Sequence, residues 1–192
     1  MRGIMAQAAT LTDAELKRAL RYCHSRRHST RDATILLVSV HTGLRAKEIA
    51  ALRVGDVYDE AGTARTQFTL AKSQTKGART RTVFVNKHLR QQFAQYRACL
   101  PLADAAEPLF RSQQGRAFSA NTMCQLFLNI YRACGLSNAS SHSGRRTFIT
   151  RLANAGVGVR VLAALAGHSS ITTTQRYIDV NDTQLANAVE LL

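Results

Sequence analysis

Breaking a phosphodiester without a metal ion needs three kinds of group. A nucleophile attacks phosphorus, cations or N–H donors hold the charge on the nonbridging oxygens, and an acid protonates the leaving oxygen. Arginine suits the second task because its planar fork donates two parallel hydrogen bonds. The C-terminal part of this chain offers such a set. His142 and Arg145 stand three residues apart in His142-Ser143-Gly144-Arg145. On a helix that spacing puts them on one face, with Cβ atoms about 5–6 Å apart. His168 follows Gly167 at a predicted helix end, and Tyr177 comes later in Thr174-Gln175-Arg176-Tyr177. Upstream, Arg45 follows the turn at Gly43, Glu48 sits where it buttresses Arg45, and Lys76 occupies a turn beside Gly77. Each has a plainer reading alone: a surface charge for Arg45, a solvated turn for Lys76, a half-buried core residue for Tyr177. Their joint occurrence in this order is what points to phosphoryl transfer.

The elements that must position these residues are mostly helical. Thr12 and Glu15 fit a capping box that starts a first helix, with Leu16 and Leu20 on one face. A second helix is predicted from about Thr30 to Thr42, buried because its apolar residues are nearly continuous, and ended by Gly43. A short helix from Arg45 to Leu52 follows. Val54–Tyr58, Arg65–Ala71 and Arg79–Val85 carry β-branched and aromatic residues with Gly-containing turns between them, which predicts three antiparallel strands. Asn86 and Ser119 then cap two helices, ending near Cys99 and before Gly135. Further helices are expected over His142–Ala155, Val159–Ala166, Ile171–Val180 and Asp182–Leu191. The fold class is mainly α with a small three-stranded antiparallel β-sheet.

Bulk composition narrows the partners. The 192 residues suffice for one good hydrophobic core. Lys and Arg number 26 against 12 Asp and Glu, a formal charge of +14, so a polyanion is the leading partner. The basic residues fall in scattered groups rather than one tail, as a folded surface on a duplex requires. Cys23, Cys99, Cys124 and Cys134 show no paired short spacing, so no zinc pattern or disulfide frame emerges. The longest apolar stretch, Ala33–Val40, is too short to span a bilayer, and Met1–Leu11 lacks the apolar core of a signal peptide. The expected partner is a nucleic acid, not a membrane, and the expected location is cytoplasmic.

Four segments resemble one family. Thr42-Gly43-Leu44-Arg45-Ala46-Lys47-Glu48-Ile49-Ala50-Ala51-Leu52 resembles the first arginine motif of the tyrosine recombinases, the phage integrase family. Thr75-Lys76-Gly77-Ala78-Arg79-Thr80-Arg81-Thr82-Val83 is similar to their β-hairpin lysine motif. His142 to Thr150 resembles their His-x-x-Arg motif, and Leu165 to Tyr177 their closing His-to-Tyr motif. The likeness implies that Tyr177 attacks the scissile phosphate to form a 3′-phosphotyrosine. Arg45 and Arg145 then clamp the nonbridging oxygens, Lys76 protonates the leaving 5′-hydroxyl, and His142 accepts or relays the tyrosine proton. His168 donates a further hydrogen bond to the phosphate, and Glu48 supports the site. Lys72, Arg79, Arg81 and Arg146 are expected to contact DNA. No metal and no other cofactor is implied.

The resemblance also implies an organisation. Residues 1–10 read as a short N-terminal extension and 11–180 as a catalytic domain without the family's usual N-terminal core-binding domain. Residues 181–192 read as a helical tail that either packs on its own core or, as the resemblance implies, is exchanged between protomers, in a monomer that assembles as a tetramer on double-stranded DNA. Integration, excision or inversion are the implied reactions. A topoisomerase IB-like relaxing enzyme and a DNA-binding regulator that no longer cuts are the alternatives. Gly167-His168 upstream of Tyr177 favours the recombinase. Two departures are expected: a minor one, Arg146 where the family often has a second histidine, and a larger one in size, since the family's separate N-terminal helical domain has no counterpart in this reading.

Overall fold

The computed structural model describes residues 8–75, 80–100, 104–178, 185–186 and 189–190. Helix α1 (Asp13–His24) begins where expected: Thr12 Oγ1 accepts from the Glu15 N–H, and the Glu15 carboxylate accepts from the Thr12 N–H at 2.8 Å. Helix α2 (Ser29–Thr42) is buried along nearly its whole length and forms the centre of the molecule. It packs against α1, α5 (Lys87–Ala98) and α7 (Ser143–Asn154). Helix α6 (Ala120–Ala133) carries Met123, Phe127, Ile130 and Tyr131 into the core and meets α3 (Ala46–Ala50). Two shorter helices, α8 (Val159–Ala166) and α9 (Ile171–Gln175), pack on each other, and α8 packs on α7. Asn86 and Ser119 cap α5 and α6 with side-chain oxygens, as predicted. Among the described residues no helix is long and apolar enough to cross a membrane.

The sheet is smaller than the expected three strands. It has two, β1 (Gln67–Leu70) and β2 (Arg81–Phe84), paired antiparallel with Phe68 opposite Val83. Val54–Tyr58, expected as a strand, instead begins with a helical turn, α4 (Val54–Val57). The reason is local. The Asp56 carboxylate accepts from the Arg53 N–H at 2.8 Å and closes the turn like an N-terminal cap. The Val54 and Gly55 N–H groups donate to Glu107 and Ala105 carbonyls, which removes them from any ladder. β-Branched Val54 and Val57 then face the core three residues apart, a spacing that suits a helical turn. The helix expected over Asp182–Leu191 lies largely outside the described residues.

Helices α2 and α7 approach closely at Gly144. A Cβ there would stand 2.7 Å from Ser39 Cβ, so this helical position admits no larger side chain without movement. Helix propensity alone favours alanine over glycine by about 1 kcal/mol, whereas overpacking a core contact costs about 1–3 kcal/mol. Gly144→Ala is therefore expected to lower the urea midpoint. A raised midpoint would show that the two helices are not held this close.

Candidate active site

The site is built where the C-terminal ends of α2 and α8 converge. Each helix is stopped by a glycine in the left-handed region, Gly43 at φ 64° and Gly167 at φ 63°. That geometry turns the chain sharply and leaves the last carbonyls of both helices pointing at a common volume. Arg145, projecting from the first turn of α7, fills it. Its Nη1 donates to the Gly43 carbonyl at 2.7 Å and its Nη2 to the Ala166 carbonyl at 2.5 Å. Arg145 is 3% exposed, and the partial negative charge at helix C-termini offsets part of its burial cost.

Arg45 follows Gly43 by two residues and is half-buried. Glu48 holds it twice: one carboxylate oxygen takes the Arg45 N–H at 2.8 Å, and the other takes Nη1 at 2.9 Å. Glu48 itself is 1% exposed, so its negative charge acts inside the protein and is not dissipated in water. Arg81, expected among the DNA contacts, is instead buried, with Nη1 3.6 Å from the same carboxylate. Burial pushes the Arg145 guanidinium down to about 9, helped by Arg45 and Arg81 and opposed by Glu48 and Tyr177, so it stays cationic at neutral pH.

His168 and Tyr177 form the other side of the site. The His168 and Tyr177 rings stack with centroids 5.8 Å apart and an 18° interplanar angle. His168 Nδ1 shares a 2.7 Å hydrogen bond with the buried Thr174 hydroxyl, which fixes the imidazole and leaves Nε2 for a ligand. The chain around Tyr177 is fastened by the Thr150 hydroxyl, which donates to the Tyr177 carbonyl at 3.3 Å. The Arg146 guanidinium lies over the Tyr177 ring at 5.8 Å, a cation–π contact that the spacing in sequence did not announce. Burial pushes His168 down to about 4, with Arg145, Arg45 and Arg81 acting in the same direction. The imidazole is thus neutral at pH 7.

Arg45, Glu48, Arg81, Gly167 and His168 line one open groove of about 790 Å³. The structure therefore brings together Arg45, Glu48, Arg145, His168 and Tyr177. His142 is the exposed N-cap residue of α7, one turn before Arg145 and outside the helix that was expected to carry both. Lys72 is exposed in a 3-10 turn, Lys72–Gln74, at the end of β1. Lys76 and Arg79 lie outside the described residues. Sequence reasoning missed Thr174 as the His168 partner, and it had no means of finding the carbonyl acceptors of Arg145. Among the described residues no cluster of His, Cys, Asp or Glu could hold a metal ion. An anion fits the groove better: a buried cation beneath it, half-buried Arg45 and a neutral imidazole on its wall.

Comparison with known proteins gives the family of the chain. Residues 9–184 match the phage integrase family. This chain belongs to that family. Tyrosine recombinase XerC of Brucella suis biovar 1 (strain 1330) is 33% identical over 161 residues, covering 81% of this chain and 48% of that protein. This phage integrase family member thus spans about half the length of such relatives. The crystal structure of XerA recombinase shares the fold with a TM-score of 0.75 at 24% identity, over 95% of this chain and 65% of that one. The Tn1549 transposon integrase in complex with circular intermediate DNA gives 0.72 at 24% identity, over 96% of this chain and 67% of that one.

The depressed histidines carry a stability consequence. His41, two residues before Gly43, is also pushed down to about 4, by burial first and then by His88 and Arg151. In the unfolded chain both imidazoles bind protons near the ordinary value of about 6.5; in the native state they do so only near 4. The unfolded state binds more protons between these values, so stability falls as pH falls from about 6.5 to about 4. Urea midpoints measured from pH 7 to 4.5 should drop less in His168→Gln than in the wild type. An identical drop would show that His168 titrates normally.

Proposed function

We propose that this chain is the catalytic domain of a site-specific DNA recombinase that cuts and rejoins double-stranded DNA through a 3′-phosphotyrosine. The observation that carries this reading is the stacking of Tyr177 on His168, a wall residue of the groove that also holds Arg45, with Arg145 buried in the same charge cluster. Tyr177 Oη attacks phosphorus as the bond to the 5′ oxygen breaks, and the electron pair leaves on that oxygen. Arg45 and Arg145 stabilise the charge that builds on the nonbridging oxygens. His168, neutral and accepting at Nδ1 from the Thr174 hydroxyl, donates from Nε2 to the same phosphate. Lys76 protonates the leaving 5′ oxygen, and His142 accepts or relays the tyrosine proton. The phosphotyrosine keeps the energy of the broken ester, so attack by another strand's 5′-hydroxyl reseals the backbone.

Residues 11–180 form the catalytic unit in this reading, and residues 181–192 are a tail that links protomers in a tetramer on DNA. The Tn1549 integrase is bound to DNA in its solved complex, and the excess of 26 basic over 12 acidic residues suits the same partner here. The +14 charge also predicts association that weakens steeply with salt.

The test uses a pool of duplexes of randomised sequence, each carrying a nick that traps the covalent product. The wild type should yield detergent-resistant protein–DNA adducts in the presence of EDTA, and Tyr177→Phe should yield none. Arg145→Ala should slow adduct formation by about 100- to 1000-fold. Wild-type protein that binds these duplexes without an adduct would favour the non-cutting regulator. Supercoil relaxation without strand exchange would favour the topoisomerase-like alternative.

A further inference from the structure

Arg81 is the charged residue whose placement the phosphate chemistry leaves unexplained. It sits on the inward face of β2, two residues from buried Val83, and is 9% exposed. Its two Nη groups go to the protein. Nη1 donates to the Ala166 carbonyl at 2.7 Å, Nη2 lies 3.3 Å from the Thr42 carbonyl, and Glu48 is 3.6 Å from Nη1. Its Nε–H is buried without a partner among the described residues. The contact with α8 is close: a Cβ on Gly167 would meet Arg81 Cδ at 2.6 Å. A buried arginine in this company is poorly explained by stability. Arg45 and Arg145 repel it, one carboxylate serves all three cations, and an unpaired buried N–H is costly. Apolar packing commonly does as well as a buried ion pair or better.

Its partners give the explanation. Thr42 ends the helix that precedes Gly43 and Arg45. Glu48 holds Arg45. Ala166 ends α8 immediately before Gly167 and His168, and its carbonyl is shared with Arg145. One guanidinium therefore touches the backbone or the carboxylate that locates each of the other three. We propose that Arg81 is a positioning residue: it ties Glu48 to the ends of α2 and α8, and so fixes Arg45, Arg145 and His168 relative to one bound phosphate. This rests on the phosphate-site reading above. A misplacement of about 1 Å in such a site costs about 100-fold in rate, without loss of the duplex contacts that set affinity.

Two measurements test it. The first is single-turnover cleavage of the trapping duplex at saturating protein, with the DNA Kd measured alongside. Arg81→Met should lower the cleavage rate by about 100-fold and change Kd less than about threefold, and Arg81→Lys should recover about tenfold of the rate. A weakened Kd with an unchanged saturated rate would make Arg81 a DNA contact and overturn the proposal, as would a rate equal to wild type. The second uses no DNA: the His168 ring protons are titrated by NMR. Wild-type His168 should titrate near 4. Arg81→Met should titrate measurably higher, and Arg81→Lys should stay low. An unmoved His168 in Arg81→Met overturns the proposal whether or not the protein cleaves DNA. Absence of adduct from the wild type, with the His168 shift present, overturns the recombinase reading alone. If Arg81→Met fails to fold, Arg81→Lys carries the test, and cleavage equal to wild type then counts against the proposal.

Discussion

The Ala166 carbonyl accepts hydrogen bonds from two arginines, Arg81 and Arg145, and much of the site's geometry depends on that shared acceptor. Two buried guanidinium groups this close repel one another strongly in a low-dielectric interior. They are tolerated because they meet the negative ends of two helices, α2 and α8, whose last carbonyls have no intrahelical donor. The glycines that stop these helices are part of the same arrangement. At Gly43 a Cβ would strike Phe148 at 2.6 Å, and at Gly167 it would strike Arg81. Both positions therefore need a residue without a side chain as well as a left-handed backbone.

Glu48 is the counterweight. Buried and bonded to Arg45 through backbone and side chain, it keeps the half-exposed arginine from swinging into solvent. It does not neutralise the cluster, which retains an excess of positive charge facing the groove. Burial first, and that excess second, keep His168 neutral, so the imidazole offers a hydrogen bond and not a further cation. A phosphate entering the groove would meet preorganised charge and would need little rearrangement of the protein to be held. The Tyr177 ring, which contacts His168 and the Arg146 guanidinium, is oriented by the same elements that carry Arg145 and His168.

Much of this was legible in the residues. The Thr12–Glu15 capping box, the stops at Gly43 and Gly167 and the side-chain caps at Asn86 and Ser119 are local signals that the chain obeys. The motif positions carry residue types whose chemistry is specific, so Arg45, Arg145, His168 and Tyr177 were nameable before any coordinate. Val54–Val57 misled because β-branched residues suggest a strand, whereas tertiary hydrogen bonds from Val54 and Gly55 to Ala105 and Glu107 decided otherwise. Arg81 misled because a basic residue on a hairpin suggests a surface. The alternation of β2 held the correction: Arg81 and Val83 share the inward face. The carbonyl acceptors left no trace in sequence, since any residue supplies a carbonyl.

The central claim is that one charge cluster presents a DNA phosphate to Tyr177. Mass spectrometry of the covalent complex, formed in EDTA on a nicked duplex and digested with nuclease and protease, tests it most directly. The account predicts a single modified peptide, with a nucleotide joined through its 3′ phosphate to Tyr177. A nucleotide on any other residue, or a complex that forms only when a divalent metal is restored, would contradict it.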